Sequence, residues 1–171
     1  QFKDVKAWWQ RVRSLTHMAN HNEIADDHLG FIEKIRTLIK LVSETSYLIL
    51  DPDLDTYYMM DAVVLKLPES QTLLSDISIL SKKVAKTKTM SVEERAQLLT
   101  LSALLKSNVA QMEVNVQTAV RNNASGDMRA TVGGPLVAYV RVMRNFVNTV
   151  ESFLATTQTI RLEPSVIATF T

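Results

Sequence analysis

Three aspartates at alternate positions, Asp51, Asp53 and Asp55, are the residues most suggestive of chemistry, because carboxylates spaced by two open a calcium loop. The rest of such a loop is missing. A calcium loop needs Gly at its sixth position and a bidentate Glu at its twelfth, where this chain holds Thr56 and Ala62. Asp51-Pro52 reads instead as a helix N-cap and first helical residue. Asp53 and Asp55 then complement the positive end of the helix dipole. Beside this turn stand Ser46, Tyr57, Tyr58 and Asp61. In two antiparallel helices turning near Asp51, Ser46 falls level with Tyr57 and Val42 with Asp61, and both Ser46 and Asp61 occupy seam positions. A carboxylate withdrawn from water is costly unless paired. Two readings fit: a hydroxyl–phenol–carboxylate network that fixes helix register, or a polar pocket between helices that meets a small ligand. These four residues are the candidate ligand-binding site.

Other side chains offer less. His17 and His21 have the i, i+4 spacing of two metal ligands, but Ala19-Asn20 reads as a helix end between them and no acidic partner stands at a ligand spacing. Solvated or capping histidines, His28 included, account for them better. The methionines read as core filler, and Trp8-Trp9 as a cover for the bundle end or a contact for a segment outside this sequence. There is no nucleophile elbow, phosphate loop, dinucleotide glycine fingerprint or His-Glu-x-x-His. Nor does the Glu-x-x-His pair of helical di-iron proteins occur. No catalytic residue, metal ligand or cofactor is assigned, and the expectation is a non-enzyme.

Helical periodicity dominates the elements that must hold the four residues. A short helix is expected over about 2–18. A second runs from Asn22 or Asp26 to about Leu50 with the seam Ile32, Ile35, Ile39, Val42, Ser46, Ile49. The third carries Leu54, Tyr58, Asp61 and Leu65. Pro68 should kink or interrupt it, and the stripe resumes as Leu73, Ile77, Leu80 and Val84. Ser91-Val92-Glu93-Glu94 is a capping box opening the fourth helix, with Leu98, Leu101, Leu105, Met112, Val116 and Ala119 along it. Residues 122–134 read as a turn, and Pro135 as the start of a last helix with Leu136, Val140, Met143, Val147, Val150 and Leu154. The expected fold is all-α: an elongated antiparallel up-down-up-down four-helix bundle with a short extra N-terminal helix, one domain over 1–171.

Composition narrows the function classes. The chain has 171 residues, 46% of them hydrophobic, with four Gly and four Pro, which argues for a packed core. Net charge is +1, so no footprint for nucleic acid is present. The basic cluster Lys82, Lys83, Lys86 and Lys88 reads as a solvated helix C-terminus. Zero cysteines exclude thiolate zinc sites, thiol catalysis and disulfides. No apolar run reaches the length of a membrane span. Gln1 at the start and the helix-like opening Glu163-Pro164 near the end suggest excision from a longer protein.

The order His28, Ser46, then Leu48-Ile49-Leu50-Asp51-Pro52-Asp53-Leu54-Asp55-Thr56-Tyr57-Tyr58-Met59-Met60-Asp61, then Leu67-Pro68-Glu69, resembles a family of bacterial sensory input domains. These are the periplasmic all-helical ligand-binding regions of methyl-accepting chemotaxis proteins and transmembrane sensor histidine kinases. Tyr47 departs from the pattern, where a small polar residue is expected. The resemblance implies a receptor on the periplasmic side of the bacterial inner membrane, with membrane helices flanking this region and cytoplasmic signalling modules. It implies a small-molecule ligand at Ser46, Tyr57, Tyr58 and Asp61, and a homodimer in the parent receptor. The rival expectation is a helical interaction or dimerisation module with no small-molecule site.

Overall fold

A computed structural model describes residues 2–15, 21–46, 50 and 52–156, of which Leu15 and residues 21–26 are described in their backbone alone. Every element among the described residues is a helix: α1 Phe2–Leu15, α2 His21–Thr45, α3 Leu54–Met60, α4 Leu67–Thr87, α5 Val92–Asn122 and α6 Asp127–Thr156. A π-helical segment, Asp61–Lys66, joins α3 to α4 without a break. The chain divides into two compact units, 1–53 and 54–171. No helix among the described residues is long and apolar enough to cross a membrane.

The first unit is a hairpin of α1 and α2. Its contacts run in opposite chain order, which makes the pair antiparallel. Arg11 pairs with Asp27 at 3.0 Å, and its guanidinium also lies 5.3 Å from the Trp8 ring centre. Trp9 meets Phe31 at 5.6 Å between ring centres. Gly30 is required by Trp8, since a Cβ there would come within 2.8 Å of the indole. The expected α2 seam is only partly withdrawn from water. Ile35 and Ile39 are half-buried, whereas Ile32, Val42 and Ser46 are exposed and Ser43 is buried. Ile49, Tyr47 and the expected N-cap Asp51 lie outside the described residues, as does His17.

The second unit has three rods: α3 through α4, then α5, then α6. Paired side chains on α5 and each neighbour run in opposite order (Asp55 with Asn123 and Lys83 with Glu94; Arg144 with Glu113 and Lys106 with Glu151), so α5 is antiparallel to both. Leu73, Ile77 and Val84 of α4 form the main core with Leu98, Leu105 and Val109 of α5 and Val140, Val147, Val150 and Leu154 of α6. A second cluster, Ala62, Met112 and Val116, lies toward the other end of α5. The apolar stripes expected on α4, α5 and α6 thus face inward, because residues three and four apart share one helix face.

Helix ends follow local chemistry. The Ser91 hydroxyl accepts from the Glu94 N–H at 3.1 Å and Glu94 accepts from the Ser91 N–H at 2.9 Å, so the capping box is complete. The lysines sit at the C-terminal end of α4, as expected. Lys88 itself takes the left-handed cap at φ 56°, its N–H returning to the Val84 carbonyl at 2.9 Å.

Three sequence expectations are corrected. Helix α6 opens at Asp127 instead of Pro135, and Gly133-Gly134-Pro135 lie inside it. Interior Pro costs a helix about 3 kcal/mol. Packing of Val132, Leu136 and Tyr139 against the Ala62 cluster opposes that cost. The turn is confined to Asn123–Gly126, where Gly126 adopts φ 73°. On the third helix, Leu54 and Leu65 are exposed while Met60 and Ala62 are buried. The π segment adds a residue to the turn, so a strict 3–4 stripe drifts off the packed face. Pro68 does not end the rod. The Leu67 N–H bonds back five residues to the Ala62 carbonyl, and Pro68, which has no N–H to offer, follows at the start of α4.

Candidate functional site

Side chains on the α3–α4 rod and on α5 form rungs of one kind, an acid facing an asparagine. Asp55 accepts from the Asn123 amide at 3.0 Å, Asp61 accepts from Asn115, and Glu69 accepts from Asn108. Asn108 and Asn115 are seven residues apart on α5 and both are buried. A buried amide facing a carboxylate cannot slip by a turn without leaving both groups unpaired, so each rung holds the register of the two rods.

The middle of the ladder extends sideways. Tyr139 of α6 donates to Ser70 Oγ at 2.8 Å, and Ser70 donates to Asn108 Oδ1 at 2.7 Å, so Asn108 uses both ends of its amide. Burial pushes the Tyr139 phenol above its ordinary value, with the Ser70 contact acting the other way. Asn115 likewise accepts from Gln111 Nε2 at 2.9 Å while donating to Asp61. At the end, Asn123 serves three helices: it caps α5, donates to Asp55 at the start of α3, and accepts from the Met128 N–H at the start of α6 at 3.2 Å. The Asn123 amide, then the Thr56 N–H at 2.9 Å, hold the Asp55 carboxyl below its usual value.

Tyr57, Tyr58 and Asp61 follow one another along the α3–π rod near this end. The two phenol rings meet edge to face, 5.4 Å between centres and 80° apart. Tyr57 is 40% exposed, while Tyr58 and Asp61 are half-buried. Asp61 opens the π segment, a type of helical irregularity frequent at functional sites. Ser46 belongs to the first unit, where it is exposed and its hydroxyl turns back to the Ser43 carbonyl at 3.4 Å. Among the described residues no group of three His, Asp or Glu could hold a metal ion. His28 is exposed.

Asn108 and Asn115 are the polar residues that the sequence reading passed over. The signal was present: Leu98, Leu101, Leu105, Asn108, Met112, Asn115 and Ala119 follow 3–4 spacing without a gap. A seam traced through apolar types alone steps over the two asparagines.

Comparison with protein-family models, with curated proteins and with solved structures finds no match for this chain.

Proposed function

We propose that this chain is the extracytoplasmic sensory input domain of a bacterial transmembrane receptor, a chemoreceptor or sensor kinase. It binds a small polar molecule at Tyr57, Tyr58 and Asp61. Ser46, at the end of α2, is the fourth proposed contact. The observation that carries the reading is Asp61: a half-buried carboxylate at the start of a π segment, held by a buried asparagine, one turn along the rod from an exposed phenol, Tyr57, and a half-buried one, Tyr58. The resemblance of the His28 to Glu69 stretch, above all its Leu50 to Tyr58 core, to bacterial sensor domains supports it. So do the four rods of bundle length, α2 with 25 residues, residues 54–87, α5 with 31 and α6 with 30. Their assembly into one four-helix bundle is part of the proposal, as are the periplasmic location and a homodimer in the parent receptor.

A ligand acts here by preferring one of two helix arrangements, and only its unequal affinity for them shifts the balance. The output is a displacement of the rod by about 1–2 Å. The π segment ahead of Pro68 divides that rod into a sensing half, α3, and a packing half, α4. Thermal-shift screening of amino acids, organic acids and aromatic metabolites tests the reading. A hit that Asp61→Asn or Tyr57→Phe weakens supports it, and a flat screen refutes it. The exposed apolar residues Val92, Leu99 and Val114 on α5 favour a second reading, an interaction module without a small-molecule site. Concentration-dependent self-association together with a flat screen would establish that one.

A further inference from the structure

Between the last turns of α5 and the first turns of α6 lies an open groove of about 370 Å³. Val120, Leu136 and Val137 give it an apolar lining, together with the polar Gln117, Arg121 and Arg129. Farther along the same α5–α6 seam the cations are matched by acids: Lys106 meets Glu151 at 3.4 Å and Arg144 meets Glu113 at 2.9 Å. At the groove that matching stops. Among the described residues neither Arg121 nor Arg129 meets a carboxylate. Arg121 leans on its own helix, donating to the Gln117 carbonyl at 3.3 Å and the Thr118 hydroxyl at 3.1 Å. Two arginines thus line one groove, and among the described residues neither is paired with a carboxylate that could compete with an incoming anion.

Gly133 borders this space. It lines the groove from the interior of α6, and a Cβ placed on it would meet no atom within 4 Å. Glycine in mid-helix costs about 0.5–1 kcal/mol relative to alanine. Nothing in the packing requires glycine here, and a long side chain at this position would extend into the groove.

We propose that this groove binds a small monocarboxylate with a short apolar body, its carboxylate on Arg121 and Arg129 and its body over Val120, Leu136 and Val137. The site shares no residue with the Tyr57, Tyr58 and Asp61 cluster and stands or falls without it. The test titrates the whole chain with sodium benzoate, following arginine Nε–H resonances and heats of binding, with benzyl alcohol and inorganic phosphate as comparisons. Saturable benzoate binding that shifts an arginine signal is expected. Arg129→Ala should weaken it about tenfold or more, the worth of a charge-assisted pair. Gly133→Ala should fold at least as stably as the parent, and Gly133→Leu, whose side chain fills the cavity, should abolish binding. Asp61→Asn should leave benzoate affinity unchanged. Non-saturating benzoate, equal binding of benzyl alcohol, or full affinity in both Arg129→Ala and Gly133→Leu would overturn the proposal. So would phosphate binding without benzoate binding, since the apolar lining would then contribute nothing. Loss through Asp61→Asn with none through Arg129→Ala would move the ligand to the tyrosine cluster and overturn this site alone.

Discussion

Replacing Asn115 with alanine removes the amide that faces Asp61 and should be among the more costly single changes in the second unit. Asn115 is 3% exposed, donates to the Asp61 carboxylate and accepts from Gln111 at 2.9 Å. A hydrogen bond to a charged group contributes about 1.5–3 kcal/mol, and the lower end applies because Asp61 is half-buried and water can partly replace the amide. The neutral bond to Gln111 adds about 0.5 kcal/mol. The expected loss is therefore about 2 kcal/mol. Urea unfolding followed by far-UV circular dichroism reads it, because both tryptophans sit in α1 and their fluorescence reports the other unit. A double-mutant cycle with Asp61→Ala isolates the pair. The account requires a coupling energy of about 1 kcal/mol or more, well above the ~0.3–0.5 kcal/mol expected of independent sites. Additive losses, or an Asn115→Ala variant within about 0.5 kcal/mol of the parent, would refute the rung as a source of register.

Other perturbations test other parts of the molecule. Asn123→Ala removes the main cause of the lowered Asp55 value, so the Asp55 carboxyl should titrate closer to its ordinary value in a pH series of carbon NMR spectra. With its folded value depressed, Asp55 stabilises the fold above its unfolded value and loses that contribution as pH falls through the folded one. Asn123→Ala should therefore flatten the acid limb of the stability profile, and an unchanged limb would contradict the assignment. Ser91→Ala should cost about 1 kcal/mol in urea unfolding, the usual worth of an N-cap, because the hydroxyl that accepts from the Glu94 N–H is lost while the residue-91 N–H still donates to Glu94. Gly30→Ala should destabilise the α1–α2 hairpin despite alanine's better helix propensity, since overpacking against Trp8 costs about 1–3 kcal/mol against a gain of ~1; tryptophan fluorescence during unfolding checks the sign.

The helical class and the inward stripes of α4, α5 and α6 were legible because 3–4 spacing of apolar residues is the direct consequence of helix geometry. Capping chemistry made the start of α5 legible, through Ser91 and Glu94. The α3 face was not, because a π segment breaks that periodicity without marking the sequence in a way spacing alone reveals. The start of α6 was hidden by Gly133-Gly134-Pro135, whose turn propensity is overruled by packing of the residues around it. For the site, the sequence picked out Tyr57, Tyr58 and Asp61, which share one rod; it did not show the Asn115 amide that Asp61 accepts from. It also picked out Ser46, which belongs to the first unit, where its hydroxyl turns back to the Ser43 carbonyl. Asn108 and Asn115 went unread because polar residues at seam positions are visible only once the seam is followed by position.

Carbon-13 labelling of tyrosine rings offers the most direct measurement, because the chain holds four tyrosines and three of them, Tyr57, Tyr58 and Tyr139, have known surroundings. On adding a polar small molecule identified by the thermal-shift screen, the Tyr57 and Tyr58 ring signals should move while that of Tyr139, bonded to Ser70 in the middle of the ladder, stays fixed. A hit that leaves Tyr57 and Tyr58 unmoved would contradict the account.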